Sequence, residues 1–207
     1  MKHVQVRVPG AAIRGTASGV FFMAVFGTLW AYTGIMGLRH PASQLLLIAA
    51  VIVGASLIAG GVGLVRASRK LPVQEMSAGD RRGRKSVRFW FNIVFAAEGA
   101  AIGLATAVCY ATERLELVPV VVVAIVGAHF FPLAPLFGVG LYYVTGTLLC
   151  GWALASWLFA SAGSASGDEA AFAYMAFAGC GSALILWGTA WAIWRMGRRL
   201  LAEASSA

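Results

Sequence analysis

Six apolar runs account for most of this chain: Gly19 to Leu38, Gln44 to Val65, Val87 to Tyr110, Leu117 to Phe131, Val139 to Ser161 and Ala170 to Trp194. A bilayer core about 30 Å thick is crossed by roughly 20 helical residues. Inside lipid every backbone N–H and C=O must be bonded within the protein, so runs of this kind are read as helices. The fold class expected is all-α: a polytopic membrane helical bundle of about six transmembrane helices, one domain over 1–207. Composition agrees: 60 % of residues are apolar where about half is usual, and the mean hydropathy is +0.81. Little chain is left over for a soluble catalytic domain. The first run is too long for a signal-peptide core and lacks a convincing cleavage site, so it is expected to be a retained span.

The formal net charge is +8. In a soluble chain that balance suggests nucleic acid; here its placement suggests orientation instead. Lys2, Arg7 and Arg14 precede the first span, Arg195, Arg198 and Arg199 follow the last, and eight more basic residues from Arg66 to Arg88 flank the second and third. Arg39 and Arg114 fall on the opposite side with Glu113, Glu116, Asp168 and Glu169. Lys and Arg favour the cytoplasmic side of short loops, so both termini are expected there, in a cell inner membrane. The segment 67–86 is expected to be a basic cytoplasmic loop whose Arg81, Arg82, Arg84 and Lys85 attract anionic lipid headgroups. No nucleic-acid partner is expected.

Within this apolar frame two ionisable residues stand out. Glu98 lies about ten residues, roughly 15 Å of helix, into the third span, and His129 lies about as deep in the fourth. Consecutive helices joined by a short loop pack antiparallel, so the two side chains are expected to meet near the bilayer midplane. Ionisable groups at that depth are costly and usually face the bundle interior. A carboxylate beside an imidazole can hold or pass one proton near neutral pH. Asn92 lies about two turns from Glu98, not on the same helical face, and is a further candidate for the pathway or a hydrogen bond between helices.

The fourth run ends in Val126-Gly127-Ala128-His129-Phe130-Phe131-Pro132-Leu133-Ala134-Pro135-Leu136-Phe137-Gly138. Pro132 and Pro135 each lack a backbone donor and crowd the carbonyl four residues back. A helix break or shallow re-entrant turn between Ala128 and Gly138 is expected, against the simpler alternative of a proline kink and a tight turn. The stretch His-Phe-Phe-Pro-Leu-Ala, followed by Leu-Tyr-Tyr-Val-Thr-Gly at 141–146, resembles a family of small bacterial multi-helix integral membrane proteins without an assigned activity. That resemblance implies a bacterial inner-membrane setting and nothing about chemistry.

Small residues at four-residue spacing form three stripes: Ala55, Ala59 and Gly63; Gly99 and Gly103 beside Ala97, Ala101 and Ala105; Thr147, Gly151 and Ala155. Such stripes let helices approach closely, within one chain or in a homo-oligomer. Aromatic belts are expected from Phe89, Trp90, Tyr142, Tyr143, Trp191 and Trp194 at the inner interface, and from Trp30, Tyr32, Tyr110, Trp157 and Tyr174 at the outer one. Residues 25–29 resemble 144–148, and the ends of the second and sixth spans are both basic, a faint hint of duplication of a helical hairpin.

No hydrolase or zinc signature appears, a lone histidine builds no metal site, and Cys109, Cys150 and Cys180 lack paired spacing. An enzyme is therefore not expected, nor any cofactor. The function expected is a small transport protein, channel or proton-linked carrier, with Glu98 and His129 at its centre. The alternative is a non-transporting assembly, sensor or scaffold protein in which the pair is structural. Polar residues in the spans are too few for a wide aqueous pore; a narrow path, an apolar ligand or no path at all fits better.

Overall fold

A computed structural model of the chain describes residues 10–70, 78–162 and 167–205. Six α-helices follow in order: α1 Gly10–Leu38, α2 Ser43–Ser68, α3 Ala78–Ala111, α4 Val118–Phe137, α5 Leu141–Ala162 and α6 Asp168–Ser205, with a short 3-10 turn at Leu115–Leu117 leading into α4. All six are long and apolar enough to cross a membrane, as the apolar runs require. The chain is a multi-pass membrane protein built as an all-helical bundle.

α6 is the hub. It packs most extensively on α1, and also against α5, α2 and α4; α1 pairs with α2, α4 with α5, and α3 rests on α4. Apolar association gains little in a solvent of acyl chains, so shape and close approach dominate. The closest backbone-to-backbone approach at a glycine is α1 on α6. A Cβ at Gly34 would collide with Cys180, and one at Gly179 with the Gly34 backbone. Gly37 meets Ala176 in the same way. The α4–α5 seam uses Gly127 and Gly146, where a Cβ on Gly127 would lie 2.7 Å from Cys150 Sγ.

These are not the stripes picked out in the sequence. Gly63, Gly99, Gly103 and Gly151 have nothing within 4 Å of a would-be Cβ; Gly63, Gly103 and Gly151 face outward, and Gly99 opens onto a cleft. Spacing alone identifies a smooth helical face; it does not say whether a neighbour covers it. The belts divide similarly. Phe89, Trp90, Tyr32, Tyr110, Tyr143, Trp157 and Trp191 are exposed. Tyr142 and Tyr174 are instead buried in the main core, with Trp30 and Trp194 packed against it.

Two further expectations are corrected. The basic segment is not all loop: α3 starts at Ala78, so Arg81, Arg82, Arg84 and Lys85 lie on its first turns, while 71–77 and 163–166 lie outside the described residues. Nor does α4 break. Pro132 and Pro135 sit inside a helix that continues to Phe137. Both prolines are on its exposed side, opposite buried Leu133 and Ala134, where the pyrrolidine rings have room. Gly138 ends the helix at φ 65°, a left-handed conformation that glycine adopts without strain. Its N–H bonds the Pro135 carbonyl at 3.3 Å, and the Val139 N–H bonds that of Ala134 at 3.0 Å.

A two-fold relation between the α1–α2 and α5–α6 hairpins would pair α2 with α5 as closely as α1 pairs with α6. No extensive α2–α5 contact is formed among the described residues, so the helix packing does not follow that symmetry.

Candidate functional site

α1 packs extensively on neither α3 nor α4. The gap between them holds a half-open cavity of about 310 Å³, floored by Leu186 of α6. Each wall is one helical face. α1 contributes Phe22, Phe26, Leu29, Trp30 and Thr33; α3 contributes Phe95, Glu98, Gly99 and Ile102; α4 contributes Val122, Val126, His129 and Phe130. Spacings of three, four and seven residues bring these side chains into register on their helices.

The pair expected from the sequence is formed. Glu98 Oε1 lies 3.1 Å from His129 Nδ1, and the two side chains retain only 10 % and 7 % of their accessible surface. That shielding keeps both off the acyl chains, as the cost of lipid-facing ionisable groups demands. The contact has ion-pair distance but not hydrogen-bond alignment. Phe130 is stacked at a tilt on the imidazole, 4.5 Å between centroids, and Tyr142 lies behind Phe130 at 5.6 Å. These contacts restrict the ring.

Aromatic rings close one end of the cleft. Phe22 meets Phe95 edge-on across the gap at 6.0 Å. Phe95 stacks on Phe91 at 5.9 Å, and Phe91 meets Phe137 at 5.8 Å. The Thr33 hydroxyl near the other end donates to the Leu29 carbonyl at 3.2 Å. Among the described residues the polar side chains of the lining are Glu98, His129, the indole N–H of Trp30 and a threonine whose proton is already engaged.

The remaining candidates fall elsewhere. Asn92 is exposed on α3 and does not line the cavity. Pro132 and Pro135 face outward, away from it. Lys85 is exposed at the start of α3. The sequence reading missed the α1 wall altogether. Its signal was present: Phe22, Phe26 and Trp30 recur every four residues, but in an apolar helix such a row reads equally well as packing. The three cysteines are free. Cys150 and Cys180 serve helix contacts, at Gly127 and Gly34 respectively.

Comparison with protein-family models, with curated proteins and with solved structures finds no match to this chain.

Proposed function

We propose that the chain is a small proton-linked membrane carrier, in which the cleft between α1, α3 and α4 binds the solute and the Glu98–His129 pair holds the exchanged proton. The observation that carries this reading is the cavity that reaches the pair. A buried carboxylate that served packing alone would need no adjoining space of about 310 Å³. Its apolar walls suit a solute that is mainly apolar, and the pair supplies the few convergent polar groups typical of a small-molecule site. The lining contains too little polar surface for a water-filled channel.

The test uses purified protein in liposomes loaded with a pH-sensitive dye. A panel of amphipathic amines, alcohols and carboxylic acids is added outside. At least one solute is expected to change the luminal pH with the wild type and not with Glu98→Gln, the two proteins having equal thermal stability. Absence of any solute-driven change in folded wild type would sink the carrier reading.

One observation favours a second reading. α3 is the outlying helix, held mainly by α4, and the pair joins those two elements. Glu98 and His129 would then pin α3 in place without moving protons. Under that reading Glu98→Gln, which keeps shape and hydrogen-bonding capacity, retains whatever the protein does, whereas Glu98→Leu loosens α3.

A further inference from the structure

We infer that the solute is a lipophilic monocation that reaches the Glu98–His129 pair sideways from the bilayer and displaces one proton from it. The inference rests on the carrier reading above and names the class of solute and its route.

Charge comes first. Among the described residues Glu98 is the only carboxylate lining the cavity, and no Lys or Arg lines it from α1, α3, α4 or α6. Of the described side chains facing Glu98 across the cleft, Thr33 of α1 and Leu186 of α6 do not titrate, and His129 of α4 is the single titratable partner. With one proton shared between them the pair is neutral. A cation entering while that proton leaves to water keeps the site neutral: carboxylate, neutral imidazole and cation replace the protonated Glu98 carboxyl and neutral imidazole. An anion would face the carboxylate, and a neutral solute would leave the charge count no reason to change. Uncompensated charge in such surroundings is strongly unfavourable.

The walls add the second argument. Phe22, Phe26, Trp30, Phe95 and Phe130 line the same space as the carboxylate. Ring faces attract cations, more so where water is excluded, and clusters of rings around one negative group suit alkylated cations that carry no hydrogen-bond donors. Aliphatic side chains would serve an uncharged hydrocarbon as well. The alignment of the pair provides the third: His129 Nδ1 lies 3.1 Å from Glu98 Oε1 without the geometry of a hydrogen bond. Because the imidazole is not locked to Glu98 by an aligned hydrogen bond, the carboxyl group is free to give up its proton and take a cation in its place.

The route follows from packing. α1 and α3 touch through Phe22 and Phe95 at one end and do not otherwise pack extensively. The α3 rim is Gly99, with open space where a side chain would stand, and the α1 rim includes Leu29, which is 56 % exposed. In a bilayer that exposure faces acyl chains, where a lipophilic cation is already concentrated.

The test measures binding of methyltriphenylphosphonium to the full chain in lipid nanodiscs, beside triphenylethane, its neutral carbon isostere. Saturable binding of the cation is expected, with one proton released per cation in weakly buffered solution. Its affinity should rise about tenfold per pH unit over the range where the pair still holds a proton, as one-for-one exchange requires. Glu98→Gln should lose cation binding at least tenfold while unfolding at the wild-type temperature. His129→Ala should still bind, with its pH dependence displaced. Equal binding of cation and isostere, undiminished binding by Glu98→Gln, or no proton release would each overturn the inference. If the cation fails yet another solute drives Glu98-dependent pH changes in liposomes, the cation class falls and the carrier reading stands. If no solute does, both fall.

Discussion

At the scale of single residues, the account turns on where an atom sits relative to the cleft. Gly99 forms the open α3 rim, with nothing within 4 Å of a would-be Cβ. Gly99→Trp is therefore expected to plug the cleft from the bilayer side while the bundle unfolds at the wild-type temperature or within a few degrees of it. Solute-driven pH change and cation binding should fall at least tenfold. Retained binding would mean that solutes arrive by another route. The Glu98–His129 meeting was legible beforehand because two rare residues lie at matching depths in consecutive antiparallel helices. The aromatic wall was not, since Phe22, Phe26 and Trp30 in an apolar helix carry no sign of whether a neighbour or a void lies beside them. Asn92 misled for a related reason: a polar residue in a span attracts notice, yet this one points away from the cavity.

At the scale of helices, close approach governs stability. Gly179→Ala forces a methyl group into the Gly34 backbone and should cost roughly 1–3 kcal/mol, as overpacking does. Gly188→Ala on the same helix meets nothing within 4 Å and should leave stability unchanged or slightly raised, since alanine is the better helix former. Thermal unfolding in one detergent compares the two; equal destabilisation would contradict the assigned α1–α6 seam. α4 gives a second comparison. Pro132→Ala restores a backbone donor on an exposed face and should not lower the unfolding temperature or alter transport. A marked loss of either would mean that the proline itself shapes the site. The existence and order of the helices were readable from apolar run length. The continuity of α4 was not, because the effect of a proline depends on which side of the helix its ring occupies. The seams were hidden as well: a glycine in a tight contact and one facing lipid are the same letter.

At the scale of the molecule, the bundle is asymmetric, with α6 as its hub and α3 held mainly by α4 on one flank. That arrangement leaves the α1–α3 gap open to the side and makes the outlying helix the one that bears the carboxylate. The distribution of Lys and Arg predicts the sidedness: residues 71–77 inside, 163–166 outside. Reporter fusions at the two connections should show cytoplasmic activity at the first and external activity at the second. The reverse pattern would invert the direction of the proposed exchange of protons and solute, leaving the cleft itself unchanged. Overall class and span number followed from composition and run length alone, because the bilayer restricts the backbone so severely. Which helices touch is decided by side-chain shape at many seams at once, and no short motif records that.

The most direct measurement is carboxyl labelling from within the bilayer. Dicyclohexylcarbodiimide is apolar, partitions into lipid and attacks protonated carboxyl groups. If the cleft opens sideways onto a proton-holding Glu98, mass spectrometry of the nanodisc-embedded protein should find the adduct on Glu98. Labelling should slow as pH rises, be suppressed by methyltriphenylphosphonium, and be blocked in Gly99→Trp. An unlabelled Glu98 in folded protein, or labelling indifferent to both the cation and the blocked rim, would contradict the account at its centre.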